Sequence, residues 1–182
     1  ASYPPDSVGI VRSINEIGFT AKQFGGGMVG LQYATFLEKL GEQLEGIVNY
    51  DFWVPEPTLQ FPGIQEFLSK YQEYAVDAGV DPLGYYLPPY AYAYLQILGQ
   101  AITETESIDE EILAEHIRSN EFSTVVGNVA FGSDGEWKKS RILMVQFQNI
   151  DGRDLQQFTE PGTRVVLYPP EWASGQPQYP FT

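Results

Sequence analysis

The stretch from Asn120 to Asp151, NEFSTVVGNVAFGSDGEWKKSRILMVQFQNID, decides how the chain is read. Thr124, Val125, Val126, Val129 and Phe131 make a short β-branched and aromatic run that Gly127 interrupts. Ser133-Asp134-Gly135 is a turn sequence, because Gly accepts positive φ and Asp hydrogen-bonds to its own backbone. Ile142, Met144 and Phe147 sit in a second run that ends at Asp151-Gly152. The expectation is therefore two β segments packed around the Ser133–Gly135 turn, followed by a closing strand.

Outward from this block, helical and strand patterns alternate. Towards the amino end, Ile108, Ile112, His116 and Ile117 lie on one side of a helix, for which Ser107 and Glu110 supply a capping box. Residues 90–102 form another helix, crowded with Tyr92, Tyr94, Leu95 and Leu98, and Asp81-Pro82-Leu83-Gly84 is a turn. Ile64, Phe67, Leu68, Tyr71, Tyr74 and Ala75 recur at three and four, which predicts a helix over 63–79. Pro55, Pro57 and Pro62 make 53–62 an extended connector. Residues 45–52 read as a strand, and a helix is expected from about Met28 to Gly41. Before it, 21–24 reads as a short strand running into Gly25-Gly26-Gly27. Val8, Val11 and Ile14 predict a first helix that Gly18 stops, with Asp6 or Ser7 as N-cap. After residue 152 come a strand at Arg164–Tyr168 and a Pro-rich tail. Alternating helices and short strands point to an α/β layered fold. There are too few parallel-strand runs for a full doubly wound sheet.

Composition excludes several function classes. The formal net charge is −14, from 24 acidic and 10 basic residues, so neither a phosphate backbone nor an anionic membrane surface is an expected partner. There is no Cys, which removes disulfides, thiolate metal sites and Cys nucleophiles. No apolar run reaches the roughly 18 residues that a spanning helix needs, so membrane insertion is not expected. The chain opens ASYPPD, with neither Met nor a basic-then-apolar segment, and a cut or engineered boundary is expected there, with no signal peptide in this chain. No nucleophile elbow, phosphate-binding loop or His-Glu-x-x-His zinc motif occurs, so no catalytic residue, cofactor or metal site is assigned and an enzyme is not expected.

The opening block, with the helix before it, resembles one family: the periplasmic amino-acid-type substrate-binding proteins of ABC transporters, of the branched-chain amino-acid-binding, type I kind. There a helix, an F-x-T-V-x-G-x-V-x-F run, an Asp-containing turn and a strand ending in Asp-Gly close the chain in this order; here the run is Phe122, Thr124, Gly127, Val129 and Phe131. Tyr3-Pro4-Pro5-Asp6 with the helix to Gly18 is similar to the family's strand-end Tyr and following helix. Asp81-Pro82-Leu83-Gly84-Tyr85-Tyr86 resembles a turn leading to an aromatic in the ligand cleft.

The resemblance implies parts of two three-layer α/β lobes joined by hinge crossovers, incomplete without the N-terminal half. Residues 1–52 would end the second lobe, 53–140 return to the first, and 141–182 pass back and form the tail. Hinges are expected near Phe52–Pro55 and Lys138–Arg141. The implied function is that of a periplasmic receptor, which captures a small organic ligand (an amino acid, an aromatic or other carboxylic acid, or an amide) between two lobes and delivers it to an ABC permease. A ligand-sensing receptor or regulator of the same fold is the alternative. The missing N-terminal half would be another chain or a lost segment.

By the same match, Tyr3, Gly26, Gly27, Met28, Tyr85 and Tyr86 are the candidate ligand-binding residues. For Tyr3 a terminal Tyr packed on nothing special stands beside a ligand contact; for Tyr85 and Tyr86 core packing stands beside an aromatic ligand wall. Amino-acid-binding members of the family commonly carry an acidic residue at the glycine segment to pair with the ligand ammonium. Gly26, Gly27 and Met28 offer N–H groups and no counter-charge, so a carboxylate, amide or aromatic acid is expected rather than an α-amino acid. A flexible turn is the other reading. His116 is the sole His, beside Ile112 and Ile117, and a structural role is expected; Glu104, Glu106, Asp109, Glu110 and Glu111 read as a solvated face favouring a helix start.

Overall fold

The computed structural model describes residues 1–139 and 141–182. Ser140, which falls in the expected hinge at Lys138–Arg141 and ends the expected passage 53–140, lies outside the described residues. The chain divides into two units: one comprises Ala1–Gln60, Ala75–Tyr86 and Ile142–Thr182, the other Phe61–Tyr74 and Leu87–Arg141. The sequence divisions were expected at 52/53 and 140/141; the units divide at 60/61 and 141/142, with 75–86 counted in the first.

In the first unit, α1 spans Pro4–Glu16. It starts before the expected cap because Pro4 and Pro5 pre-set φ for the first helical positions, and Tyr3, not Asp6 or Ser7, is the N-cap. Ser7 is inside the first turn, where its hydroxyl meets the Tyr3 carbonyl at 3.0 Å and the Ser2 hydroxyl at 2.9 Å. Gly18, at φ +60°, ends the helix as expected.

β1 is Phe24–Gly26, so two of the three glycines are strand and not turn. The reason is close approach: a Cβ on Gly25 would lie 2.0 Å from the Val48 carbonyl oxygen of the neighbouring strand. The expected helix over 28–41 is broken into a 3₁₀ turn at Val29–Gln32 and α2 at Ala34–Leu40. Tyr33 is extended between them, and Asp81 caps α2 from afar, its Oδ2 accepting from the Ala34 N–H at 2.7 Å. Asp81 Oδ1 accepts from Leu83 and Gly84, so one carboxylate closes the 81–84 turn and starts a helix.

β2 (Ile47–Asp51) runs parallel to β1. The second unit takes α3 (Ile64–Ala78) as far as Tyr74, α4 (Pro88–Thr105), α5 (Glu110–Ser119), β3 (Glu121–Thr124) and β4 (Gly127–Ala130). β5 (Leu143–Phe147) and β6 (Arg164–Tyr168) return to the first unit, giving one sheet in the order β1-β2-β5-β6, with β5 antiparallel to both neighbours. Leu143, Val145 and Phe147 are buried while Ile142 is exposed, so the apolar face of β5 is one residue out of step with the expected Ile142 and Met144. Leu31, Leu37, Leu40, Leu44, Ile47 and Phe158 fill the core of this unit.

On β5, Gln146 and Gln148 are buried polar residues that hold the Pro-rich tail. Gln146 Nε2 donates to the Gln178 carbonyl and its Oε1 accepts from the Gln178 N–H, at 3.0 and 2.7 Å. Gln148 Nε2 donates to the Gln176 carbonyl at 3.0 Å. Further on, Phe181 exchanges two backbone hydrogen bonds with Ala21 and stacks near Phe19 and Phe24.

In the second unit the hairpin of the opening block turns at Val125-Val126, and β3 pairs with β4. Ser133-Asp134-Gly135 instead tips a second, smaller loop closed by the Phe131–Trp137 bridge, and β5 pairs elsewhere. Gly127, at φ +89°, admits the Arg141 guanidinium, which lies over the Phe61 ring at 4.2 Å and the Trp137 ring at 5.1 Å and donates to the Val126 carbonyl. The α5 N-cap is Asp109, accepting from Glu111 and Ile112, while the expected capping residue Ser107 accepts from Asp109 itself.

Candidate functional site

The first unit brings several sequence candidates to the carboxyl ends of its parallel strands. Ser2 bridges Met28 in parallel beyond the end of β1, and Tyr3 follows immediately, 73% exposed. An open α/β sheet offers its crevice at this end. Gly27 and Met28 follow β1 here, and Tyr50 and Asp51 end β2, with Phe52 next.

Gly27 faces the Tyr50 ring: a Cβ placed on it would stand 3.9 Å from Tyr50 Cδ1, an ordinary contact with room for a side chain. Met28 is spent. Its side chain is 4% exposed, its N–H donates to Asn49 Oδ1 at 2.8 Å, and its carbonyl accepts from Asn49 Nδ2 at 3.1 Å. The glycine segment therefore leaves space beside Gly26 and Gly27, whereas Met28 is part of the core.

The two tyrosines of the 81–86 turn go to different places. Tyr85 is 5% exposed, packed on Trp53 at a centroid distance of 4.8 Å with Arg164 over its ring at 5.1 Å. It belongs to the core. Tyr86 is half-buried in an aromatic group, with centroids 5.7 Å from Tyr33 and 5.5 Å from Phe52. Tyr50 stands beside it, edge-on to Phe52 at 5.7 Å, and hydrogen-bonds to Tyr86. Burial, then the hydrogen bond with Tyr86, raises the Tyr50 phenol above its ordinary range, so the Tyr50 hydroxyl stays protonated.

Sequence reasoning missed Tyr33, Tyr50 and Phe52. A signal existed for the last two: they are two apart at the end of a strand, so they project from the same face. Tyr33 carries no such pattern, because it is brought in by the break between the 3₁₀ turn and α2.

Asp51 lies between Tyr50 and Phe52 in sequence but points the other way. It is 2% exposed, with Oδ2 3.3 Å from Arg164 Nη1 and Oδ1 accepting from the Phe52 N–H at 2.8 Å. Burial pushes its carboxyl up to about 6, against the pull of Arg164 and of the Phe52 and Trp53 N–H groups. Its charge is consumed internally and is not offered to a ligand. In the second unit, His116 bonds to Glu104 at 2.6 Å and rests its ring near Phe122, a structural arrangement. A hollow of about 550 Å³ lined by Lys22, Gln23, Tyr179 and Pro180 lies at the amino end of β1, away from the aromatic group. Among the described residues no group of three or more His, Asp or Glu is placed to hold a metal, and no helix is long and apolar enough to cross a membrane.

No protein-family model matches the chain. A curated relative, the leucine-, isoleucine-, valine-, threonine- and alanine-binding protein of Pseudomonas aeruginosa, is 26% identical over 136 residues, which are 75% of this chain and 34% of that protein. Among solved structures, a leucine-binding protein of Thermotoga maritima superposes with a TM-score of 0.61 at 25% identity, over 81% of this chain and 40% of that one. An ABC-transporter substrate-binding protein of Sphaerobacter thermophilus superposes at 0.65 and 18% identity, over 93% and 43%. The chain has part of the type I periplasmic-binding-protein fold. It resembles the branched-chain amino-acid-binding proteins of ABC transporters and spans well under half of their length. These relatives are named as binding proteins and transporter components, not as enzymes.

Proposed function

We propose that the chain is part of the periplasmic solute-binding component of an ABC importer, which captures a small organic ligand and hands it to a permease without bond chemistry. The observation that supports this reading is the Tyr33, Tyr50, Phe52 and Tyr86 group beside Gly27, at the strand ends where this fold class binds ligands. Aromatic walls with phenolic donors suit a ligand with an apolar or ring portion and an acceptor group. Two carboxylates near the aromatic group in sequence, Asp51 and Asp81, are occupied by Arg164 and by backbone N–H groups, and the glycine segment itself carries no counter-charge for an ammonium. The ligand class is therefore a carboxylate, an amide or an aromatic acid, with Tyr86, Tyr50, Gly27 and Tyr3 as contacts.

A thermal-shift screen of amino acids, aromatic acids and amides on the full-length protein tests this. Ligand at about 100 times its Kd stabilises by about 2.7 kcal/mol, a rise of several degrees. Aromatic acids or amides are expected to give it. Stabilisation by leucine-like amino acids alone would refute the ligand class, and no stabilisation by any small solute would refute the binding role. Tyr86→Ala is expected to remove the shift while leaving the unliganded melting temperature within a few degrees.

A further inference from the structure

Gln32 ends the 3₁₀ turn at Val29–Gln32, next to Tyr33 of the aromatic group, and is 4% exposed. Its Nε2 donates to the Tyr50 carbonyl. The last β1 residue, Gly26, stands opposite Asn49, so β1 has ended before it could pair with Tyr50. Gln32 takes the place of the missing strand. Its amide therefore lies at the carboxyl ends of β1 and β2, held between the two residues that carry the Tyr33 and Tyr50 rings.

The other half of this amide is unmatched. Among the described residues, Gln32 Oε1 is the buried side-chain acceptor left without a hydrogen bond. Exchanging its oxygen and nitrogen gives no relief, because Oε1 would then face the Tyr50 carbonyl, acceptor against acceptor. The polar side chains next to the turn have no donor to spare for it. Asn49 Nδ2 gives its hydrogen to the Met28 carbonyl, and Asp81 is an acceptor for Ala34, Leu83 and Gly84. A buried acceptor in this condition is costly, so a bound group that brings it a donor is favoured over one that does not.

We infer that Gln32 is a specificity-determining residue of the ligand site, and that the ligand presents its Oε1 with an uncharged N–H, as a primary carboxamide does. This rests on the binding role proposed above and narrows its ligand class. An ammonium would bring a charge to an enclosed position where the neighbouring carboxylates, Asp51 and Asp81, are already occupied. A carboxylate has no hydrogen to give, and its oxygens would meet Oε1 acceptor against acceptor. A carboxamide is uncharged, flat and carries two N–H donors, while the rest of the ligand stays against the aromatic rings. Because Oε1 is enclosed, the donor arrives as a half-buried neighbour, Tyr33 or Tyr50, swings aside, which demands a slim group.

Calorimetric titration of the full-length protein with matched compounds tests this: benzamide, methyl benzoate and benzoate, then phenylacetamide, methyl phenylacetate and phenylacetate. Amide and ester are both uncharged and differ in the N–H, so repulsion by an acidic protein does not bias that comparison. The amides are expected to bind about tenfold tighter than the esters, the worth of one hydrogen bond. In Gln32→Met, which keeps the side-chain length and removes the acceptor, amide and ester are expected to come within about threefold of each other. Equal wild-type affinities for amide and ester overturn the inference, and that comparison needs no variant. An amide preference that persists in Gln32→Met also overturns it, as does a variant that weakens amide and ester alike, which is the effect of a merely structural Gln32. A protein that binds other solutes but none of the amides loses this inference and keeps its binding role. A protein that binds no small solute at all loses both.

Discussion

The first unit of the chain buries its apolar side chains on a sheet, whereas the second buries Ile64, Leu68, Phe122, Val125 and Val126 among helices and a hairpin and leaves one side of its longest helix exposed. The first has a four-stranded sheet with fully buried Leu, Ile and Phe, and its buried charges and amides face one another or the backbone. The second has helices and one hairpin, and its longest helix presents Tyr94 and Leu95 to solvent. The difference teaches that similar hydrophobic content does not guarantee similar burial.

That contrast can be broken most directly by truncating a buried side chain in the first unit and an exposed one in the second. Phe147→Ala in β5 is expected to cost about 3–5 kcal/mol in urea unfolding, whereas Leu95→Ala in α4 is expected to stay within about 0.5 kcal/mol for this chain. Comparable losses would show that the second unit is already packed. A smaller effect concerns Asp51. Its carboxyl is raised from 3.8 to about 6, so the folded state takes up a proton more readily than the unfolded one. The associated stability is full below about pH 4 and is lost as pH rises through about 6, a change of about 3 kcal/mol. Urea midpoints between pH 4 and 7 should show that decline in the first unit, and Asp51→Asn should flatten it; a wild-type midpoint that rises over this range would contradict the shift. Smallest is the long-range cap: Asp81→Ala removes the acceptor of the Ala34 N–H and should cost about 1 kcal/mol in the same unfolding measurement, with Asp81→Asn recovering most of it.

Periodicity made the helices legible where one face is apolar. The expected 63–79 is α3 at Ile64–Ala78, and the strand expected at Arg164–Tyr168 is β6. It failed where a distant group decides the local structure. Nothing around Tyr33 announces that Asp81 will start a helix at Ala34, and nothing at Gly25 announces the Val48 carbonyl that its missing Cβ accommodates. The opening hairpin was read around the strongest turn sequence, Ser133–Gly135, but Thr124 closes the real turn: its hydroxyl donates to the Gly127 carbonyl at 2.7 Å. Of the candidate residues, Gly27 follows β1 and Tyr86, in the turn before α4, meets the aromatic group, while Tyr85 and Met28, each next to one of them, face the core because alternate positions in an extended segment point opposite ways.

The buried amides of Gln146 and Gln148 grip the tail only by its carbonyls and one N–H. That makes 176–178 a segment recognised by shape of main chain and indifferent to the identity of its side chains. Position 177 makes neither contact and holds a proline; position 178 donates its N–H and is the one place there where a proline has no way to fit. Variation among versions of this tail is thus expected to be wide in chemistry and narrow in backbone, the reverse of what a ligand pocket tolerates.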